Sequence, residues 1–541
     1  MKKKRDKKTK CIIIGLDGST WDLMESWIVK GKLPLFKELI KKGVKATLYT
    51  TIPSSTIPAL PSLYTGMNPG EHGILKFTKP DGDVVNMSDV SYPKIWNLLD
   101  RFGLRSLIFN VRFTYPAEPL NGIMFSGNPH PPVAEAERLV HPSEIFGVYK
   151  KFYNRETYDR MRSYFGDVDK NKEKILEVNI EISRLKFEVF KELVEKEGEF
   201  DFIFYWNGRP DGVMHRLWHH PNLILSFYKH VEEEILSWFL NTFPETNILI
   251  LSDHGFHQAA NMRFHLNNYL EKEGFLLRKG GKVRRWATDL VSWVGRNYIP
   301  SWLVEKILGI KKSQEGEEYN RKKEEGRVYV KSLVALPGID YKKSKAVMRE
   351  LWGIDLLNCE GEEKEKLAQE VISSLYKARY KGKPVVSFAI RKEDFYSGKY
   401  LNDIPDIIFQ TEGMFIAEYE LSQKIFSKPR GKSKTKKYGE HKNARKGIFI
   451  ATGPDIKKNV EIERVSILDI LPTALHILHK PIPSYLNGRV LTEIFSEKRE
   501  VKFIDLLPTD FLVSKQKELS REEKEEMKDR LKALGYADEI E

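Results

Sequence analysis

The chain reads as an α/β protein with a mostly parallel central β-sheet, and two features of the sequence lead there. Short apolar runs of four to six residues, often rich in isoleucine, break off abruptly at polar residues or glycine, as buried parallel strands do. Between them lie longer segments whose apolar residues recur with the helical period. With 541 residues, 41% of them hydrophobic, the chain can bury a large core and carry at least one further unit.

Taken in order, the first run covers 11–16 and stops at Asp17-Gly18. Asp17 fits the cap of a following helix, and equally a ligand at a strand end, where α/β sheets gather theirs. A helix is expected over 34–42. Another begins near Thr56, within Pro53-Ser-Ser-Thr56-Ile-Pro58. Thr56 could cap that helix; the same place suits a hydroxyl aimed at phosphorus, because free N–H groups at a helix start bind phosphate oxygens. A helix at 93–101 and a strand at 106–110 precede a stretch rich in proline and aromatics, from about 128 to 170, that reads as a small insertion. A long helix over 172–196 leads to a strand at 202–205. Beyond it Asp211 and His215, four residues apart, face one side of a helical turn and can share a cation. A helix at 221–241 then leads to a strand at 247–251 and Asp253-His254-Gly255, adjacent ligands that splay apart where glycine allows a tight turn.

From 266 to 383 the motif density drops, and 311–327 reads as a polar loop. This region, with a helix over 364–380, is assigned as an insertion or cap ahead of strands near 385–390 and 406–410. Residues 10–265 and 384–505 form one discontinuous catalytic domain in this reading. The lone His441 follows a basic loop at 428–437 and precedes a strand at 447–451 and a helix at 467–478; by itself it would be a surface histidine. Residues 506–541 are a charged helical tail, docked on the core or on a second subunit of a homo-oligomer.

The formal charge of +13, from 89 basic and 76 acidic residues, is mixed along the chain rather than blocked, so it describes mainly a solvated surface. It would also favour encounter with a phosphate-bearing substrate. Basic and aromatic residues are not interleaved as in nucleic-acid modules, so no stable nucleic-acid partner is expected. Two cysteines, Cys11 and Cys359, exclude a disulfide framework and suit a reducing, cytoplasmic setting. The run after the basic N-terminus is too short for a signal peptide or a membrane span. The segment 286–310, with Trp286, Trp293 and Trp302, is broken by charges; it suits a cap core, or an amphipathic lid at a membrane surface.

Together these pieces resemble the alkaline phosphatase superfamily, and within it the type I phosphodiesterase/nucleotide pyrophosphatase family. The resemblance rests on Asp17 after the first strand, Thr56 to Ile74 ending Thr65-Gly66-Met-Asn-Pro69-Gly-Glu-His72-Gly73-Ile74, Asp211 to His215, Asp253-His254-Gly255, His441 with 447–454, and the closing Ile467-Leu-Asp469-Ile-Leu-Pro472-Thr473 and Leu486-Asn-Gly488. It covers most of the chain outside the insertion. It implies an alkaline-phosphatase-like three-layer α/β/α sandwich holding two divalent ions, zinc first, with manganese or iron also compatible. One ion would be held by Asp211, His215 and His441, the other by Asp17, Asp253 and His254, with Thr56 as ligand and nucleophile. His72 would pack or orient its helix. The sequence departs from the eukaryotic members in two places. Leu75-Lys76-Phe77 stands where they carry a phosphate-contacting asparagine, and Gly208-Arg209 replaces an acidic pair before Pro210, so Asn207, Arg209 or a backbone N–H would take over phosphate contact.

The expected reaction is cleavage of a phosphodiester or pyrophosphate bond in a small phosphate ester through a phosphothreonine. A phosphomonoesterase, phosphonate hydrolase or phosphotransferase on the same scaffold is the alternative. No Cys-x-Pro-x-Arg or Ser-x-Pro-x-Arg run exists to support a sulfatase. A non-catalytic protein that binds membrane surfaces is the reading from a different class, and metal analysis would discriminate it.

Overall fold

Nine strands hydrogen-bond into one sheet in the computed structural model, which describes residues 9–79, 83–127, 129, 136–149, 168–280, 336, 338–350, 352–428, 438–511 and 519–531. They are β1 (Cys11–Leu16), β2 (Val44–Tyr49), β3 (Ser106–Phe109), β4 (Gly122–Phe125), β5 (Val140–His141), β6 (Phe202–Asn207), β7 (Asn247–Leu251), β8 (Lys446–Thr452) and β9 (Val460–Ser466). Their spatial order is β9-β2-β8-β7-β1-β6-β3-β4-β5. The central pairings β7-β1-β6-β3-β4 are parallel, as is β2 with β9. Every residue of β1, β3, β6 and β7 is buried, which requires both faces of the sheet to be covered and matches the expected α/β sandwich.

The strand expected at 447–451 is present, but it runs antiparallel to both neighbours. An apolar run dictates burial and leaves direction to the connection that precedes it. Strands β2, β4, β5 and β9 were not anticipated. β2 alternates buried and half-buried residues, with Lys45 turned outward to Glu25 and Glu461, so it lacks the continuous apolar run of its neighbours.

The chain divides into two compact units, one from the described residues within Met1–Gln258 and Lys432–Glu541, the other from those within Ala259–Gly431. The insertion drawn at 266–383 is therefore too short. Val386–Arg391 and Ile407–Thr411, assigned above to the catalytic domain, pair with each other, and Ile407–Thr411 pairs also with Gly353–Leu356, in a separate antiparallel sheet whose core also takes Leu367, Val371 and Leu375 from the helix Gly361–Lys377. Ile407–Thr411 is as fully buried as the central strands of the large sheet, and only pairing assigns it. The tail contributes a helix, Arg521–Leu531, fastened where Glu523 accepts from Tyr115 and Arg138. The segments 286–310 and 311–327, with Trp286, Trp293 and Trp302, and most of the basic loop before His441 lie outside the described residues. No described helix is long and apolar enough to cross a membrane.

One close approach in the sheet reaches the functional region. Gly15 of β1 lies opposite Trp206 of β6, and a methyl group on Gly15 would fall 1.8 Å from the indole. That indole donates to Asp17 at 3.2 Å. Gly15→Ala is therefore expected to destabilise the fold by about 3 kcal/mol through overpacking and to misplace Asp17 as well. Urea denaturation with metal-binding titration checks this, and an unchanged midpoint would show that the strand simply yields.

Candidate metal centre

Three adjacent parallel strands end together. Asp17 follows β1, its backbone N–H bonded to Asn207 O at the end of β6, and Asp253 stands two residues beyond β7. Thr56 opens helix α1 (Thr56–Thr65) at its first position. The cap itself is Ser55, whose hydroxyl accepts from Ile57 N, so Thr56 is released from the capping role its position suggested. Asp211 and His215 lie on a short helix, Arg209–Leu217, one turn apart. His441 comes in on the loop after Gly439–Glu440, a short strand paired with His257–Gln258.

All seven side chains are almost entirely buried and converge. Ligand atoms of Asp211, His215 and His441 lie within 4.8 Å of one another, and so do those of Asp17, Asp211 and His254. Asp253 Oδ2 is 3.4 Å from His254 Nε2, and Thr56 Oγ1 is 3.1 Å from the same nitrogen. The first ligand group is the one expected. The second differs, because Asp211 reaches into it while Asp253 commits one oxygen to the N–H of Gly18.

The histidine tautomers follow from their partners. Nδ1 of His215 bonds Gly439 O at 2.8 Å, Nδ1 of His254 bonds Gly255 O at 2.9 Å, and Nδ1 of His441 bonds Ser54 O at 3.0 Å. A carbonyl can only accept, so each Nδ1 carries the proton and each Nε2 presents a lone pair, as in metal sites whose ligands are oriented from behind. Glycine at 439 has a steric reason: a methyl group there would meet Phe256 at 2.4 Å and Met214 O at 2.7 Å, pushing away the carbonyl that orients His215.

Electrostatics point the same way. Asp17 is pushed well above the usual carboxylate range by burial, against the pull of Arg112, with Asp253 and Asp211 adding to the push. Burial would raise Asp211 too, but His215, Arg112, His441 and His254 outweigh it and hold the carboxyl below its usual range. His441 is driven well below the ordinary imidazole value by burial and by neighbouring His254, and so is neutral as a ligand must be. Three carboxylates are thus drawn together away from water. Asp17 Oδ1 and Asp253 Oδ2 have no hydrogen-bond partner among the described residues. A buried carboxylate oxygen left this way is costly unless a cation meets it, so the donor set fits divalent metal ions.

Arg112 was not anticipated. It follows β3, its Nε 2.8 Å from Asp17 Oδ2 and its NH2 3.7 Å from Asp211 Oδ2. With Trp206 it secures one oxygen of Asp17 and turns the other inward. A basic residue in the aromatic stretch Asn110-Val-Arg112-Phe-Thr-Tyr115 was the available signal. Asn207 spends its side chain on Arg209 N and Ser183 Oγ, and Asn207 and Arg209 both line an adjoining pocket.

His72 has the opposite tautomer. Its Nδ1 accepts from Ile74 N and its Nε2 donates to Ser62 Oγ, which fits a packing role. Full burial lowers its pKa to about 3. Unfolded, it would titrate near 6.5. A depressed imidazole pKa stabilises the fold above the unfolded value, and that stability drains away as pH falls from about 6.5 toward 3, on the order of a few kcal/mol in all. The metal-free protein should therefore lose urea resistance between about pH 7 and pH 5, and lose less of it in His72→Asn. Equal pH slopes for both proteins would exclude His72 as the source.

Comparisons with known proteins can be set beside this geometry. The type I phosphodiesterase/nucleotide pyrophosphatase family matches residues 11–442. Phosphonoacetate hydrolase from Sinorhizobium meliloti 1021, solved with phosphonoacetate, is similar in structure with a TM-score of 0.50 at 12% identity, over 87% of this chain and 96% of that one. Murine ectonucleotide pyrophosphatase/phosphodiesterase 5 aligns over 90% of this chain and all of its own at 16% identity, with a TM-score of 0.45. No curated protein matches in sequence.

Proposed function

Because the chain belongs to the type I phosphodiesterase/nucleotide pyrophosphatase family, we propose that it cleaves phosphodiester or pyrophosphate bonds at a two-cation centre with Thr56 as the nucleophile. It is a phosphodiesterase/nucleotide pyrophosphatase-like hydrolase of a metal-dependent family, and its substrates are phosphate esters. The observation that carries the finer reading is the convergence of three Nε2 lone pairs and three buried carboxylates beside one hydroxyl.

In this reading Asp211, His215 and His441 hold one ion, and Asp17, Asp253 and His254 hold the other with Asp211 in reach of both. Bound cations supply charge stabilisation for the phosphoryl oxygens and lower the pKa of a hydroxyl. The chain's own residues do the rest. Thr56 stands at the helix start with its hydroxyl 3.1 Å from His254 Nε2, which keeps the oxygen aimed inward, and the hydroxyl proton leaves with the departing oxygen. Attack by Thr56 Oγ1 forms a P–O bond as the bond to the leaving oxygen breaks, and the leaving group departs as alcohol or phosphate. Water then attacks phosphorus, the P–Oγ1 bond breaks, and threonine is regenerated. Burial of Thr56 excludes bulk water from the first step.

Metal-stripped protein should be inactive and recover with zinc, and manganese and iron compared at equal loading identify the better ion. Hydrolysis of bis-p-nitrophenyl phosphate should exceed that of p-nitrophenyl phosphate. The reverse order would favour a monoesterase, and cleavage of phosphonoacetate would favour the phosphonate hydrolase alternative. Full activity after complete metal removal would end the reading.

A further inference from the structure

Asn207, the last residue of β6, is joined to three separate segments of the chain. Its backbone carbonyl accepts from Asp17 N at 3.1 Å, its Oδ1 accepts from Arg209 N at 3.0 Å, and its Nδ2 donates to Ser183 Oγ at 3.1 Å. The first bond fixes the turn that carries Asp17. The second fixes the opening of the helix Arg209–Leu217, two residues before Asp211. Asp17 and Asp211 are the two carboxylates of one candidate ligand group, so a single residue ties together the backbone segments that present both.

Behind Asn207 the bonding continues, and its direction follows from one fixed donor. A backbone N–H can only donate, so the atom facing Arg209 is the amide oxygen and the atom facing Ser183 is the amide nitrogen. Ser183 Oγ therefore accepts from Asn207 and has its own proton to give to His230 Nε2, 3.0 Å away. Burial holds this imidazole below its ordinary pKa, so the ring is neutral at pH 7. Its one proton is then on Nδ1, which lies 3.1 Å from Glu234 Oε1. Arg184 secures the same carboxylate from the solvent side, its Nε 2.7 Å from Oε2.

Asn207, Ser183 and His230 are 3%, 2% and 5% exposed. Ser183 and Arg184 belong to the long helix Val168–Glu197, and His230 ends the helix Pro221–His230 where the backbone widens into a π turn, Val231–Leu236. Such turns are rare and recur at functional sites. A chain of neutral polar groups adds little net stability over apolar packing of the same shape. What a fully bonded one adds is a unique geometry.

We infer that Asn207 is a positioning residue for the metal centre, setting the separation of Asp17 and Asp211, and that Ser183 and His230 hold its amide in the orientation this requires. The inference rests on the reading of those two carboxylates as metal ligands.

The test titrates zinc into the metal-stripped full chain against a chromophoric chelator, and loads the same proteins with cobalt(II), whose visible spectrum reports the arrangement of its ligands. Asn207→Ala should weaken zinc about tenfold or more and shift the cobalt spectrum, the scale expected when a group behind a ligand is removed. Ser183→Ala leaves the bond to Arg209 in place and should weaken zinc less, by about threefold, while the double variant should bind no worse than Asn207→Ala, because Ser183 acts only through Asn207. With metal saturating, kcat on bis-p-nitrophenyl phosphate should fall in both single variants while KM holds, since ligands rather than substrate contacts are displaced. Losses that multiply in the double variant overturn the part given to Ser183 and His230. Unchanged zinc affinity and cobalt spectrum in Asn207→Ala overturn the inference as a whole. If Asn207→Ala does not fold, Ser183→Ala decides alone, since alanine is well tolerated within a helix; wild-type affinity and spectrum in that variant are the overturning result. A wild type that binds no ion sinks the centre and this inference with it, whereas normal wild-type binding left unmoved by the variants sinks the inference only.

Discussion

Thr56→Ala should lose at least about 10³-fold in kcat while binding metal as the wild type does. The hydroxyl is buried and lies 3.1 Å from His254 Nε2, yet it caps nothing, because Ser55 performs that role for α1. Alanine is well tolerated in a first helical turn, and the other donors, Asp17, Asp253, His254, Asp211, His215 and His441, are untouched. Stability should therefore change by no more than about 1 kcal/mol, the scale of one lost hydrogen bond. Thr56→Ser keeps a hydroxyl and should keep measurable turnover. Acid quench during turnover of the wild type should trap a phosphoryl group on Thr56, found by mass spectrometry of the peptide. Activity of the alanine variant within tenfold of wild type would remove Thr56 from the chemistry, and metal loss in that variant would recast it as a ligand only.

The parts of this centre that could be read from residues alone share one property: each lies where the chain's period changes. Asp17 and Asp253 end apolar runs that became β1 and β7 with the expected limits, and Asp211 with His215 fall one turn apart on the helix that follows β6. The carboxyl ends of adjacent parallel strands gather such residues, so order along the chain predicts proximity. Arg112 had no such marker. It acts from an irregular stretch after β3, and its importance depends on Asp17 being 2.8 Å away, which is a property of tertiary structure. The presence of Asp211 in both candidate groups was equally hidden, since a spacing of four residues identifies His215 as a companion but says nothing of Asp17 and His254. The insertion was drawn too short for a related reason. Ile407–Thr411 is a fully buried strand and Val386–Arg391 a partly buried one, and a strand's choice of sheet lies in pairing partners distant in sequence.

That shared position makes Asp211 the residue whose loss should cost the centre most metal. Asparagine fits the same space but removes the charge and offers one oxygen where the carboxylate offered two. Both ligand groups include Asp211, whereas His441 belongs to only one. Asp211→Asn should thus weaken metal at both positions, by about a hundredfold or more at each, and elemental analysis after dialysis should find less than one ion per chain. His441→Gln should empty one position and leave the other occupied. A hundredfold loss of affinity removes about 2.7 kcal/mol of the stabilisation that a saturating metal confers, so the rise in melting temperature on adding zinc should shrink far more in Asp211→Asn than in His441→Gln. The metal-free fold should respond differently. Burial opposes the Asp211 charge, but His215, Arg112 at 3.7 Å, His441 and His254 outweigh it, so removing the charge should itself lower metal-free stability. A fall in metal-dependent stabilisation larger than that metal-free loss separates a ligand shared by two ions from a carboxylate kept for the fold alone. Should Asp211→Asn retain both ions, the second group would instead be completed by Asp253, whose Oδ2 lies 3.4 Å from His254 Nε2.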